Sequence, residues 1–93
     1  MTGILNLSDL VALEVVCRAA QTCARVKWLT DDGDIVSGTA RHLVRSADDI
    51  GFITGEDDVR ECVLRITTSS GWEVFLPMRD LMAKVKVGEF VID

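Results

Sequence analysis

Two hydrophobic periods divide the chain. Through residue 23 the polar side chains Glu14, Arg18, Gln21 and then Arg25 recur at steps of four, three and four, which predicts one solvent-facing line along a helix. Asn6 or Ser8 is suited to cap that helix, and Asp9 suits the positive end of its dipole. Leu10, Val11, Leu13, Val15, Val16, Ala19 and Ala20 cover the remaining surface, an apolar face wider than one side of a small sheet requires. Burial against a sheet and self-association both account for such a face.

After residue 23 the period becomes two. Ala24, Val26 and Trp28 alternate with Arg25 and Lys27, as in a half-buried strand. Asp31-Asp32-Gly33-Asp34 reads as a tight turn, with Gly33 at its positive-φ position. Residues 35–44 form a long second strand, in which Gly38 predicts a bend or bulge that lets one strand serve two halves of a sheet. Further strands are predicted at 50–54, 59–68, 72–76 and 84–92, with turns at Gly55-Glu56-Asp57-Asp58 and Ser69-Ser70-Gly71. Pro77 to Leu81 reads as a short helical turn. The expected class is mainly β with one N-terminal helix: residues 1–23 helical, residues 24–93 a small antiparallel β-barrel, and the whole one domain.

Composition narrows the function. Ninety-three residues suffice for one domain, and 48% hydrophobic with 27% charged residues is ordinary for a globular chain. The net charge of −5 disfavours phosphate backbones and anionic membranes and favours a basic protein surface as partner. Cys17, Cys23 and Cys62 form no C-x-x-C pair and read as small buried hydrophobes in a reducing cytoplasm. The apolar run at 10–17 is broken by Glu14, lacks a basic leader and is too short to span a bilayer, so neither secretion nor membrane insertion is expected.

Signals for catalysis are few. His42 is the one histidine, and no nucleophile elbow, zinc helix or phosphate loop appears. A single strand histidine reads as surface or hydrogen-bonded core. No catalytic residue, cofactor or metal is expected. Eight of the fifteen carboxylates fall in three predicted turns: Asp31, Asp32 and Asp34; Asp48 and Asp49; Glu56, Asp57 and Asp58. Aspartates in turns commonly hold the local backbone, whereas three clusters at one end of a barrel would steer a basic partner. Arg41, Arg45, Arg60, Arg65 and Arg79 are candidates to line an anion site. Trp28 and Trp72 suit the core, and either one exposed would mark a binding hot spot.

The order of motifs resembles the small bacterial Rho-binding inhibitors of transcription termination. The resemblance runs through Leu13-Glu14-Val15-Val16-Cys17, Leu29-Thr30-Asp31-Asp32-Gly33, Gly38-Thr39-Ala40, Leu43-Val44-Arg45, Met78-Arg79-Asp80-Leu81 and Gly88-Glu89-Phe90-Val91-Ile92. The chain departs from that family at His42 and Arg79, positions where the family has acidic residues, and residues 48–58 read as an insertion. The resemblance implies an Sm-like or SH3-like small barrel. It also implies a non-catalytic regulator whose acidic face, carried here by Glu14, Asp31, Asp32 and Asp34, occludes the basic RNA-entry surface of Rho. Two other classes stand beside it: an Sm-like nucleic-acid binder assembled as a ring, and a small-ligand barrel using Arg41 and His42. The wide helix face makes a homodimer through the N-terminal helix a further expectation.

Overall fold

The computed structural model describes residues 7–93, so the cap expected of Asn6 lies outside the described residues. Helix α1 runs Leu7–Thr22, and Ser8 sits inside its first turn, not at its cap. The chain continues through strands β1 (Arg25–Leu29), β2 (Ile35–Ser46) and β3 (Asp49–Phe52), and a 3-10 turn at Val59–Glu61. It closes with β4 (Val63–Thr68), β5 (Glu73–Pro77), helix α2 (Met78–Lys86) and β6 (Phe90–Ile92).

All six strands pair antiparallel in one sheet of order β5-β4-β2-β1-β6, with β3 folded onto the far end of β2. The mainly β expectation therefore holds, but the sheet is not closed, since β5 and β6 do not pair. β2 serves both halves as expected, pairing β1 through residues 35–39 and β4 through residues 38–44. Its register shifts between Ala40 and Leu43, so the bulge expected at Gly38 lies further along the strand. Gly38 is required for another reason. A Cβ there would lie 2.6 Å from the Thr67 carbonyl oxygen and 2.9 Å from Ile66 Cγ2, so only glycine lets β4 approach this closely.

Three expectations are corrected at the C-terminal end. The helical turn after Pro77 continues as the nine-residue α2, because Met78, Leu81, Met82 and Val85 fall at helical spacing and bury one face. The final strand accordingly begins at Phe90, not at Lys84. Residues 59–61 wind into the 3-10 turn, with the Asp58 carboxylate accepting from Arg60 N–H at 3.0 Å, so β4 starts four residues later than expected.

Helix α1 lies on β2 and α2, burying Ala12, Val16 and Ala19. The sheet contributes Val26, Trp28, Ala40, Leu43, Leu64, Ile66 and Phe90 to the same core, and α2 adds Met78, Leu81 and Met82. Leu7, Leu10 and Val11 remain exposed, so only part of the wide apolar face of α1 is used. Glu14, Arg18 and Gln21 form the exposed stripe, with Glu14 and Arg18 paired at 2.5 Å, whereas Arg25 belongs to β1. Trp28 is buried at 5% exposure and Trp72 is exposed at 73%. No described helix is long and apolar enough to cross a membrane.

A candidate acidic groove beside the β1–β2 turn

The three carboxylate clusters do not meet. Asp31, Asp32 and Asp34 cap one end of β2, and the other two clusters lie together near its opposite end. There Asp49, Asp57 and Asp58 serve the fold, whereas the Asp48 and Glu56 carboxylates are exposed and make no ion pair among the described residues. Asp57 accepts from Thr54 N–H at 2.7 Å and from Arg45 Nε at 3.1 Å, and Asp49 reaches the same guanidinium at 3.4 Å. Asp58 holds the 3-10 turn and pairs with Arg60 at 3.3 Å. The Thr54 N–H, joined by Arg45, holds the Asp57 carboxyl below its ordinary value, and Arg60 does the same for Asp58.

The β1–β2 turn is built differently. Thr30 N–H donates to the Asp34 carbonyl at 2.8 Å, Gly33 N–H donates to the Thr30 carbonyl at 3.0 Å, and Asp34 N–H donates to Thr30 Oγ1 at 3.1 Å. Gly33 takes φ of 89°, the left-handed conformation that glycine enters without a Cβ penalty. One threonine hydroxyl thus does what turn aspartates commonly do. The carboxylates of Asp32 and Asp34 are exposed and make no ion pair among the described residues.

The turn is fastened to the end of α2. Leu29 N–H donates to the Glu89 carbonyl at 2.9 Å, and Lys84 Nζ donates to the Leu29 carbonyl at 2.6 Å. Between them lies an open groove of about 510 Å³ whose rim carries Asp31, Asp80 and Glu89, and whose floor includes Trp28 and Leu81. Lys84 is half-buried in its wall, 3.6 Å from the exposed Asp31 carboxylate. Asp80 and Glu89 make no ion pair among the described residues, so the groove sets three carboxylates, Asp31, Asp80 and Glu89, around one lysine, with Asp32 and Asp34 following Asp31 in the turn.

Of the residues singled out from sequence, Asp31 lines this groove, and Asp32 and Asp34 are exposed in the same turn beside it. Glu14 is on α1, engaged by Arg18. Asp80 and Glu89 were missed as site residues, although both fall within quoted motifs; their contribution depends on α2 being a full helix that returns to β1. His42 is half-buried, with Nε2 at 3.1 Å from the Ile50 carbonyl and its ring 4.4 Å from that of Phe52, a packing role. Arg45, Arg60, Arg65 and Arg79 are each paired with carboxylates and do not gather into an anion site. No group of three or more His, Cys, Asp or Glu side chains among the described residues is arranged to hold a metal. Cys62 is buried and Cys17 half-buried, with burial pushing both thiols up, but Cys23 is exposed, against expectation. No family model, characterised protein or solved structure matches this chain.

Proposed function

We propose that this protein is a non-catalytic regulator that binds a basic protein surface through the groove between the β1–β2 turn and α2. The observation that carries this reading is the freedom of the turn carboxylates. Where Asp49, Asp57 and Asp58 are spent on the fold, Asp32 and Asp34 are held out by a turn that does not use them, beside Asp31, Asp80 and Glu89. Exposed, rigidly presented charge of one sign accelerates encounter with the opposite sign and orients it. The strand order, with the last strand returning to pair β1, is read here as an open small barrel of the Sm-like kind. Rho is the partner that the motif resemblance names, and occlusion of its basic RNA-entry surface is the corresponding mechanism.

The test is a binding titration of the purified chain against Rho, repeated with the D31N/D32N/D34N variant and across salt concentrations. The reading expects affinity that falls steeply as salt rises and is lost in the variant, whose circular dichroism and melting stay those of the parent. Binding indifferent to both salt and the three aspartates, or no binding, overturns it.

A further inference from the structure

The molecule carries ten lysines and arginines, and seven of them face a carboxylate partner. The other three, Arg25, Lys27 and Arg41, make no ion pair among the described residues, and all three lie on the outer face of the sheet. Arg25 and Lys27 are the exposed positions of β1, opposite Thr39 and Ser37. Arg41 donates from Nε to Thr67 Oγ1 at 3.1 Å, and Thr67 pairs with Thr39 in the same cross-strand row. Asp93 lies beside Arg25, joined through the backbone alone, and Glu73 at the far end of the row is occupied by Arg65.

The same face becomes apolar toward the turn. Leu29, Ile35 and Val91, together with Glu89, line a shallow and mostly apolar depression of about 240 Å³ next to Lys27, with Ile35 at 73% and Val91 at 47% exposure. Beyond it stand Asp31, Asp32 and Asp34. The outer face of the β1–β2 hairpin therefore runs from cations, through an exposed apolar middle, to the turn carboxylates, of which Asp32 and Asp34 make no ion pair among the described residues and Asp31 lies 3.6 Å from Lys84, over about 15–20 Å at about 3.3 Å per residue.

We propose that this face docks on the same face of a second copy of the chain, related by a two-fold axis with the hairpins antiparallel. The charge order is self-complementary only in that arrangement. The acidic turn of each copy meets Arg25, Lys27 and Arg41 of the other, while Ile35 and Val91 of both copies cover one another at the centre. Such an isologous contact closes on itself and does not propagate, and an apolar centre with a charged rim is the usual anatomy of an interface. Three strands about 4.8 Å apart give a footprint well below the roughly 800 Å² per partner of a stable complex. The dimer is accordingly weak, concentration-dependent and salt-sensitive. It uses the sheet, in contrast to the helix-mediated dimer expected from sequence. This inference shares the turn aspartates with the basic-partner reading but does not depend on it, so the test uses the chain alone.

The experiment is sedimentation equilibrium over a range of protein concentrations, at about 0.01 M and about 1 M salt, where screening lengths are about 30 Å and about 3 Å. The parent should dimerise at low salt and shift at least tenfold toward monomer at high salt. R25E/K27E makes both ends of the hairpin acidic, and D32K/D34K makes both ends basic, so each variant alone should be monomeric. Mixed one to one, the two should recover a dimer, because each end again meets its opposite. The recovery also shows that neither variant has simply misfolded. A monomeric parent at low salt, a dimer untouched by both variants, or a mixture that stays monomeric overturns the proposal. So does capture of a labelled single-stranded oligonucleotide by a monomeric parent that R25E/K27E abolishes, which would assign the cations to nucleic acid. R25E/K27E keeps the acidic groove, so its binding to a basic partner reports on the proposed function separately.

Discussion

Cys23 and Gly88 occupy the same position in two copies of one helix-ending turn. After α1, Ala24 N–H donates to the Ala19 carbonyl at 3.0 Å and Cys23 N–H to the Ala20 carbonyl at 3.4 Å. After α2, Glu89 N–H donates to the Lys84 carbonyl at 2.7 Å and Gly88 N–H to the Val85 carbonyl at 3.2 Å. Both are Schellman turns, and both need left-handed backbone at the residue after the cap. Gly88 adopts φ of 77° and Cys23 adopts φ of 50°, the one non-glycine residue described with positive φ. The cysteine carries a Cβ into a conformation that glycine enters freely, at about 1–2 kcal/mol. Cys23→Gly should therefore raise stability by about 1 kcal/mol, measured by urea denaturation. A loss of stability would show that the exposed thiol makes a contact that outweighs the backbone strain.

Gly38 should tolerate no side chain. Its ideal Cβ collides with the backbone of β4, at Thr67 O and at 2.9 Å from Thr68 Cα, so relief requires the central strand pair to separate. Gly38→Ala is expected to cost about 2–3 kcal/mol, read from the midpoint of denaturant unfolding. The same substitution at Gly55, where a Cβ meets nothing within 4 Å, serves as the neutral control.

The two tryptophans should separate in both spectroscopy and stability. Trp28 is packed in the core and Trp72 stands at the β4–β5 turn. Acrylamide should quench Trp72 strongly and Trp28 weakly. Trp28→Ala should cost about 3–5 kcal/mol, and Trp72→Ala should stay within about 0.5 kcal/mol. If Trp72→Ala leaves the fold intact but abolishes binding to a partner, the binding surface extends to that turn.

Acid should loosen the end of the molecule around Arg45 first. The Asp57 and Asp58 carboxyls sit below their ordinary value of 3.8 in the folded chain, through the Thr54 N–H with Arg45 and through Arg60. A carboxyl whose folded value is depressed adds stability that is fully present above the unfolded value and is lost as the pH falls through the folded one. Asp57→Asn should therefore melt below the parent at neutral pH, with the difference shrinking as the pH drops under 3.8. Melting curves that stay parallel at every pH would remove this linkage.

Thiol reactivity should follow burial. Cys23 is exposed, whereas burial pushes the Cys17 and Cys62 thiols up and leaves less thiolate for attack. A disulfide reagent should label Cys23 rapidly under native conditions and the other two only on unfolding. Rapid labelling of all three would mean that α1 opens readily from the sheet.

The chain by itself determined the elements whose signal is local. The helical stripe Glu14, Arg18, Gln21, the alternation around Val26 and Trp28, and the Gly33 turn each depend on residues within one or two turns of chain, and each is found in place. Helix α2 was equally legible in Met78, Leu81, Met82 and Val85; the alternation of Val85 and Val87 obscured it. What only the tertiary structure decided are the relations between distant segments. Which aspartates are occupied depends on where Arg45, Arg60 and Thr30 stand, and which tryptophan is buried depends on which turn meets the core. The groove exists because the end of α2 hydrogen-bonds to Leu29, fifty-five residues away from Lys84. Local preference is a property of neighbours in sequence, whereas burial and charge pairing are fixed only once the packed chain has chosen neighbours in space.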